Sequence, residues 1–114
     1  MVRSAKQNVL RAVTDYQRAT RHLRILLDDV DTGLDTFVAL VKSNEAVAAL
    51  LLGTQASARR LEFAQAMIDF EDSRRRLRVA VLRLGAERGE SIADMAKALG
   101  ISRQLAYRHL AEES

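Results

Sequence analysis

Five hydrogen-bonding side chains, Ser102, Arg103, Gln104, Tyr107 and Arg108, fall within two helical turns of this 114-residue chain. Guanidinium and carboxamide groups form paired, planar hydrogen bonds to carboxylates, phosphates or base edges. Other chemistry finds little support. His22 and His109 are the only histidines, far apart, and neither has metal-ligand spacing around it. The chain has no cysteine, which excludes disulfides, thiolate metal sites and a cysteine nucleophile. HExxH, a phosphate loop and a Ser/His/Asp grouping are all missing. Asp28, Asp29 and Asp31 cluster at an expected helix end, without the glycine and ligand spacing of a calcium loop. The expectation is a protein that is not an enzyme, with no metal, no cofactor and no identifiable small-molecule ligand.

The stretch SIADMAKALGISRQLAYRHL positions that polar group. Ser91 followed by Asp94 is a capping-box pattern, and Asp94 also suits the positive end of a helix. Met95, Ala96 and Leu99 make one apolar face of a short helix. Gly100 suits a turn that needs left-handed backbone, and Ile101 plugs the angle between two helices. Ser102 caps the next helix, whose inward residues are Leu105, Ala106 and Leu110. Two short helices joined by a tight glycine-bearing turn form a helix-turn-helix. Its expected core is Met95, Ala96, Leu99, Gly100, Ile101, Ala106 and Leu110.

From about residue 74 to 111 the chain resembles the helix-turn-helix of resolvases and invertases, and that of sigma-factor C-terminal regions. It is particularly similar to small actinobacterial regulators in which a basic helix leads into a "GISRQ" type of recognition helix. His109 departs from the pattern, which usually has Val or Ile at that inward position. The resemblance implies a second helix lying in the major groove with its first turns against base edges. Arg103 and Gln104 would then read bases, and Tyr107 and Arg108 would touch a base or a phosphate. Ser91 and Ser102 would meet phosphates at helix starts, with Lys97, Arg74, Arg75 and Arg78 as further phosphate candidates. The implied function is sequence-specific binding of double-stranded DNA in transcriptional regulation. One such motif reads few base pairs, so a homodimer on a two-fold axis is expected.

The rest of the chain must carry this reader. Val2, Ala5, Val9, Ala12, Tyr16, Ala19, Leu23, Leu26 and Val30 step by three and four, the pattern of a helix seam. Val2, Val9, Tyr16, Leu23, Leu26 and Val30 are its large members, facing either this chain or a second copy. Asp31-Thr32-Gly33 reads as a stop, and Asp35 or Thr36 could cap a second helix to about Leu52. A third helix runs from about 54–57 to Glu87, with Phe63, Ala66, Phe70, Leu77, Ala80 and Leu84 inward. The predicted fold is all-α: three long helices in a bundle with a C-terminal helix-turn-helix. Residues 1–73 would form the bundle and oligomerisation region and residues 74–114 the DNA-binding region, sharing one helix in a single compact unit.

Composition agrees with helices, since proline is absent and aromatics are only 4%. Net charge is +3, but residues 1–24 carry +5, residues 25–73 carry −6 and residues 74–114 carry +4. Basic ends attract polyanions and an acidic middle is held away from them. The N-terminus lacks the apolar run of a signal peptide, and no stretch reaches the ~20 residues that span a bilayer. A cytoplasmic protein without membrane contact is expected. Two rival roles remain: a protein–protein adaptor of the transcription machinery, and a non-specific architectural DNA-binding protein.

Overall fold

A computed structural model describes residues 3–53 and 55–112. Among the described residues there are five helices and no strand: α1 (Ala5–Lys42), α2 (Val47–Gly53), α3 (Ala56–Glu87), α4 (Ile92–Leu99) and α5 (Arg103–Ala111). No helix among the described residues is long and apolar enough to cross a membrane. The chain divides into two compact units, Met1–Gln17 with Glu71–Ser114, and Arg18–Phe70. Residues 3–17 thus belong with the C-terminal part, although sequence groups them with the N-terminal region.

The expected stop at residues 31–33 is corrected by the structure, because α1 continues through Gly33 to Lys42. Gly33 does not take a positive φ. The seam explains why: its three-and-four stepping runs on through Gly33, Phe37 and Leu40, which are all half-buried. A glycine inside a helix costs about 1 kcal/mol, which packing of that length readily exceeds. Gly33 instead receives a neighbour, since a Cβ there would lie 2.9 Å from Nη1 of Arg59. The break comes later, at Asn44 (φ 61), whose N–H donates to the carbonyl of Val41. Asparagine tolerates left-handed backbone better than other side-chain-bearing residues. The expected second long helix is therefore replaced by the end of α1 and the seven-residue α2. Asp28, Asp29 and Asp31 accordingly lie inside α1 and not at its end.

In the Arg18–Phe70 unit, Leu23, Leu26 and Ala66 form a small buried cluster with Phe63 and Phe70 packed on it. Together with the Gly33–Arg59 approach, this makes an antiparallel hairpin of α1 and α3. Leu50 of α2 is also buried, whereas Val47, Leu51 and Leu52 are exposed. Of the expected seam, Leu23 and Leu26 are buried and Val9 and Tyr16 half-buried. Val30 is a correction: it is exposed, because the seam passes beside it to Gly33. Val2 lies outside the described residues.

The other unit is organised around Leu82, which is wholly buried and clusters with Ala96 of α4 and Ala106 of α5. Ile92, Met95, Ile101 and Leu110 pack against this cluster. Burial of Ser73, Val79, Ala80 and Leu82 wraps more than one side of the second half of α3. The unbroken apolar run 79–82 is the matching sequence signal. Gly85 lets α4 approach: a Cβ there would lie 2.0 Å from Sδ of Met95. Arg88 and Gly89 then close the helix, with Gly89 in the left-handed region at φ 76.

Candidate nucleic-acid interface

Capping sets the start and end of α4 and the start of α5. Ser91 is extended (φ −66, ψ 124), and its Oγ accepts the N–H of Asp94 at 3.2 Å. At the other end Gly100 adopts φ 71, ψ 30. Its N–H donates to Lys97 O at 3.2 Å while the N–H of Ile101 donates to Ala96 O at 3.0 Å. This pair of bonds is a Schellman motif, in which the residue after the glycine folds back onto the helix. Ile101 is thereby directed into the Leu82–Ala96–Ala106 cluster. Ser102 follows at φ −72, ψ 154, and its Oγ accepts the N–H of Leu105 at 3.0 Å. Only Gly100, Ile101 and Ser102 separate the two helices.

Two members of the expected motif core are corrected here. Leu99 is 37% exposed. The Schellman turn carries Ile101 into the inter-helix angle, leaving the last residue of α4 at the edge. Gly100 is exposed and acts through its backbone conformation alone. Met95 and Leu110 are half-buried, and Ala96 and Ala106 are fully enclosed. The two alanines allow the close crossing of the helices.

The faces of α5 differ sharply. Ala106 and His109 are buried and Leu105 and Leu110 half-buried, while Arg103, Gln104, Tyr107 and Arg108 are all exposed. Those four side chains have no hydrogen-bond or ion-pair partner among the described residues. Lys97 is exposed and unpaired as well. Ser91 and Ser102 are exposed, and each hydroxyl that accepts from the backbone keeps its own O–H to donate. The unpartnered donors therefore lie along one open surface of the second helix.

The arginine cluster on α3 is different. Arg74 pairs with Glu71 at 3.4 Å, Arg76 with Asp72 at 3.0 Å, and Arg75 with Asp72 at 3.6 Å and also with Glu112. All are half-exposed pairs, each worth at most about 1 kcal/mol. Arg78 is half-buried and has no carboxylate partner among the described residues. Arg74 and Arg75 thus arrive with their charge already balanced, and Arg78 does not.

The Arg75–Glu112 contact belongs to a tie that sequence reading missed. His109 Nδ1 lies 3.2 Å from Glu112 Oε1, and the carboxylate as acceptor assigns the proton to Nδ1. This hydrogen bond, followed by the Arg75 guanidinium, holds the Glu112 carboxyl below its ordinary pKa. Nε2 of His109 is buried without a partner. His109 therefore fixes the end of α5 to α3 through Glu112 and Arg75. The i, i+3 spacing of His109 and Glu112 was its only sequence trace. Among the described residues no group of three or more histidine and acidic side chains could hold a metal ion. No family model matches the chain, and no curated protein or solved structure matches it significantly.

Proposed function

We propose that the chain binds double-stranded DNA through α4 and α5, acting as a C-terminal helix-turn-helix in transcriptional regulation. The observation that supports it is the one-sided chemistry of α5. Its inner face is anchored on Leu82 and Ala96, and its outer face carries Arg103, Gln104, Tyr107 and Arg108 without partners. Unpaired guanidinium and carboxamide groups on an exposed helix suit base edges in the major groove. Ser91, Ser102, Lys97 and Arg78 supply phosphate contacts that set register. Arg74 and Arg75 contribute less, because each already holds a carboxylate.

The test is titration of labelled duplex DNA, followed by anisotropy at two salt concentrations, using sites selected from a random pool. A preferred motif, with affinity falling as salt rises, is the expected result. Arg103→Ala should then cost about 1–3 kcal/mol and relax discrimination at one base position. Equal weakening on all sequences would assign Arg103 to a phosphate. A steep salt slope without sequence preference would indicate the architectural role, and no binding at all would overturn the proposal.

A further inference from the structure

The Arg18–Phe70 unit buries very little of its own apolar surface. Among its described residues only Leu23, Leu26, Leu50 and Ala66 are buried. Over the same stretch Leu27, Leu34, Val38 and Val41 of α1 are exposed, as are Leu61, Met67 and Ile68 of α3. A unit this small has too little core to stand alone unless something covers these side chains.

Their placement defines a face. At 100° per residue, Leu27, Leu34, Val38 and Val41 form one stripe roughly 80° around α1 from its buried seam. On α3, Met67 and Ala64 lie off the Phe63–Ala66–Phe70 seam in the same rotational sense, whereas Leu61 and Ile68 point away from the seam on the far side of the helix. The two helices are antiparallel and face each other through their seams. Equal rotation therefore brings both stripes to the same side of the hairpin. The exposed side chains on that side, Leu27, Leu34, Val38, Val41 and Met67, leave on the order of 400 Å² of apolar surface. That is a sizeable patch for a monomer, and about half of the roughly 800 Å² per partner in a standard interface, the polar margin supplying the rest.

We infer that this face is covered by the same face of a second copy of the chain, forming a four-helix bundle around a two-fold axis along the helices. The charges favour that occupant and that axis. Asp31 borders the α1 stripe and Arg60 lies within the α3 stripe, and neither has an ion-pair partner among the described residues. Gly33 faces Arg59, so Asp31 lies level with residues 60–61. An axis along the helices sets α1 against the α3 of the other copy, and Asp31 meets Arg60 of the partner subunit. The other two-fold arrangement sets α1 against α1 and opposes its aspartates, which is repulsive. The inference goes beyond the DNA-binding proposal and does not depend on it.

The experiment is sedimentation or light-scattering mass of the full chain without DNA, over a concentration series. The wild-type protein should run at about twice its 12.7 kDa chain mass. Leu34→Asp or Met67→Asp places two carboxylates in each apolar interface, so the dimer Kd should rise by roughly 100-fold or more. Ile25→Asp, on the opposite side of α1, should leave the mass unchanged. Asp31→Arg and Arg60→Asp should each weaken the dimer, and the double exchange should restore it. A wild-type monomer, which is also the outcome if a different protein occupies this face, would overturn the inference. So would a dimer indifferent to both Leu34→Asp and Met67→Asp. If single and double charge variants behave alike, the proposed axis is wrong. A dimer that ignores DNA, or a monomer that binds it, would separate this inference from the DNA proposal.

Discussion

The contact between Gly85 and Met95 can be measured as a coupling energy. A Cβ at Gly85 would sit 2.0 Å from Sδ and 2.9 Å from Cε of Met95, so Gly85→Ala cannot be accommodated without moving that side chain. Two effects oppose each other. Alanine in place of glycine inside α3 stabilises the helix by about 1 kcal/mol. Forcing a packed thioether out of its place costs about 1–3 kcal/mol, and methionine's flexibility favours the lower end. The net expectation for Gly85→Ala is a loss of about 0–2 kcal/mol.

The sign should reverse once the obstacle is gone. Met95→Ala alone should cost about 1–3 kcal/mol, because Met95 is half-buried against the Leu82 cluster. In that background the added Cβ meets only Glu90 Oε2, at an ordinary contact distance of 3.4 Å, and Gly85→Ala should stabilise by about 1 kcal/mol. The double-mutant cycle therefore predicts a coupling of about 1–3 kcal/mol. Urea titrations followed by far-ultraviolet circular dichroism on the four proteins supply the numbers. Equal effects of Gly85→Ala in both backgrounds would mean that α4 does not rest on α3 at this point, and the placement of α5 would lose its support.

Two other positions test the fold and the tie at the end of α5. Gly33→Ala should stabilise the protein by up to about 1 kcal/mol, because its Cβ meets only the movable tip of Arg59 within a continuous helix; clear destabilisation in thermal melts would restore Gly33 as a helix stop. Glu112→Gln should alter the acid limb of the stability profile. The folded-state pKa of Glu112 is lowered, so its contribution is present above the ordinary glutamate range and fades as pH falls through the folded value. Denaturation across that range should therefore show wild type and variant converging at the acid end, with a small gap at neutral pH that salt diminishes. A gap that widens on acidification would contradict the His109–Glu112–Arg75 tie.

Legibility in the sequence followed the range of the interactions involved. The α4–α5 pair was readable almost residue by residue, because Ser91, Gly100 and Ser102 each act within four positions of themselves. The outward set on α5 followed from its inward set by helical period. His109 was placed beside the core, but its bond to Glu112 and the reach of Arg75 across 37 residues left no periodic trace. Leu82 lies off the single three-and-four stripe of α3, and it is enclosed because that part of the helix is covered on more than one side. The ion pairs divide in the same way: Glu71 and Asp72 stand three or four positions before Arg74, Arg75 and Arg76, a spacing legible on any helix, whereas Arg75–Glu112 is not. Arg78 is the one arginine of residues 74–78 with no carboxylate beside it among the described residues.

Gly33 and Gly100 show why local rules suffice in one place and fail in another. Both follow a helical stretch, and both read as ends. After Gly100 the next residues are Ile101 and the capping Ser102, so stopping the helix satisfies two backbone donors and seats an isoleucine. After Gly33 the next seam positions are Phe37 and Leu40, so stopping there would strand apolar side chains that the continuing helix half-buries. The glycine itself carries a preference of only about 1 kcal/mol. What decides its role is whether the residues beyond it gain more from a turn or from continuing the helix, and that depends on packing against the far end of the hairpin.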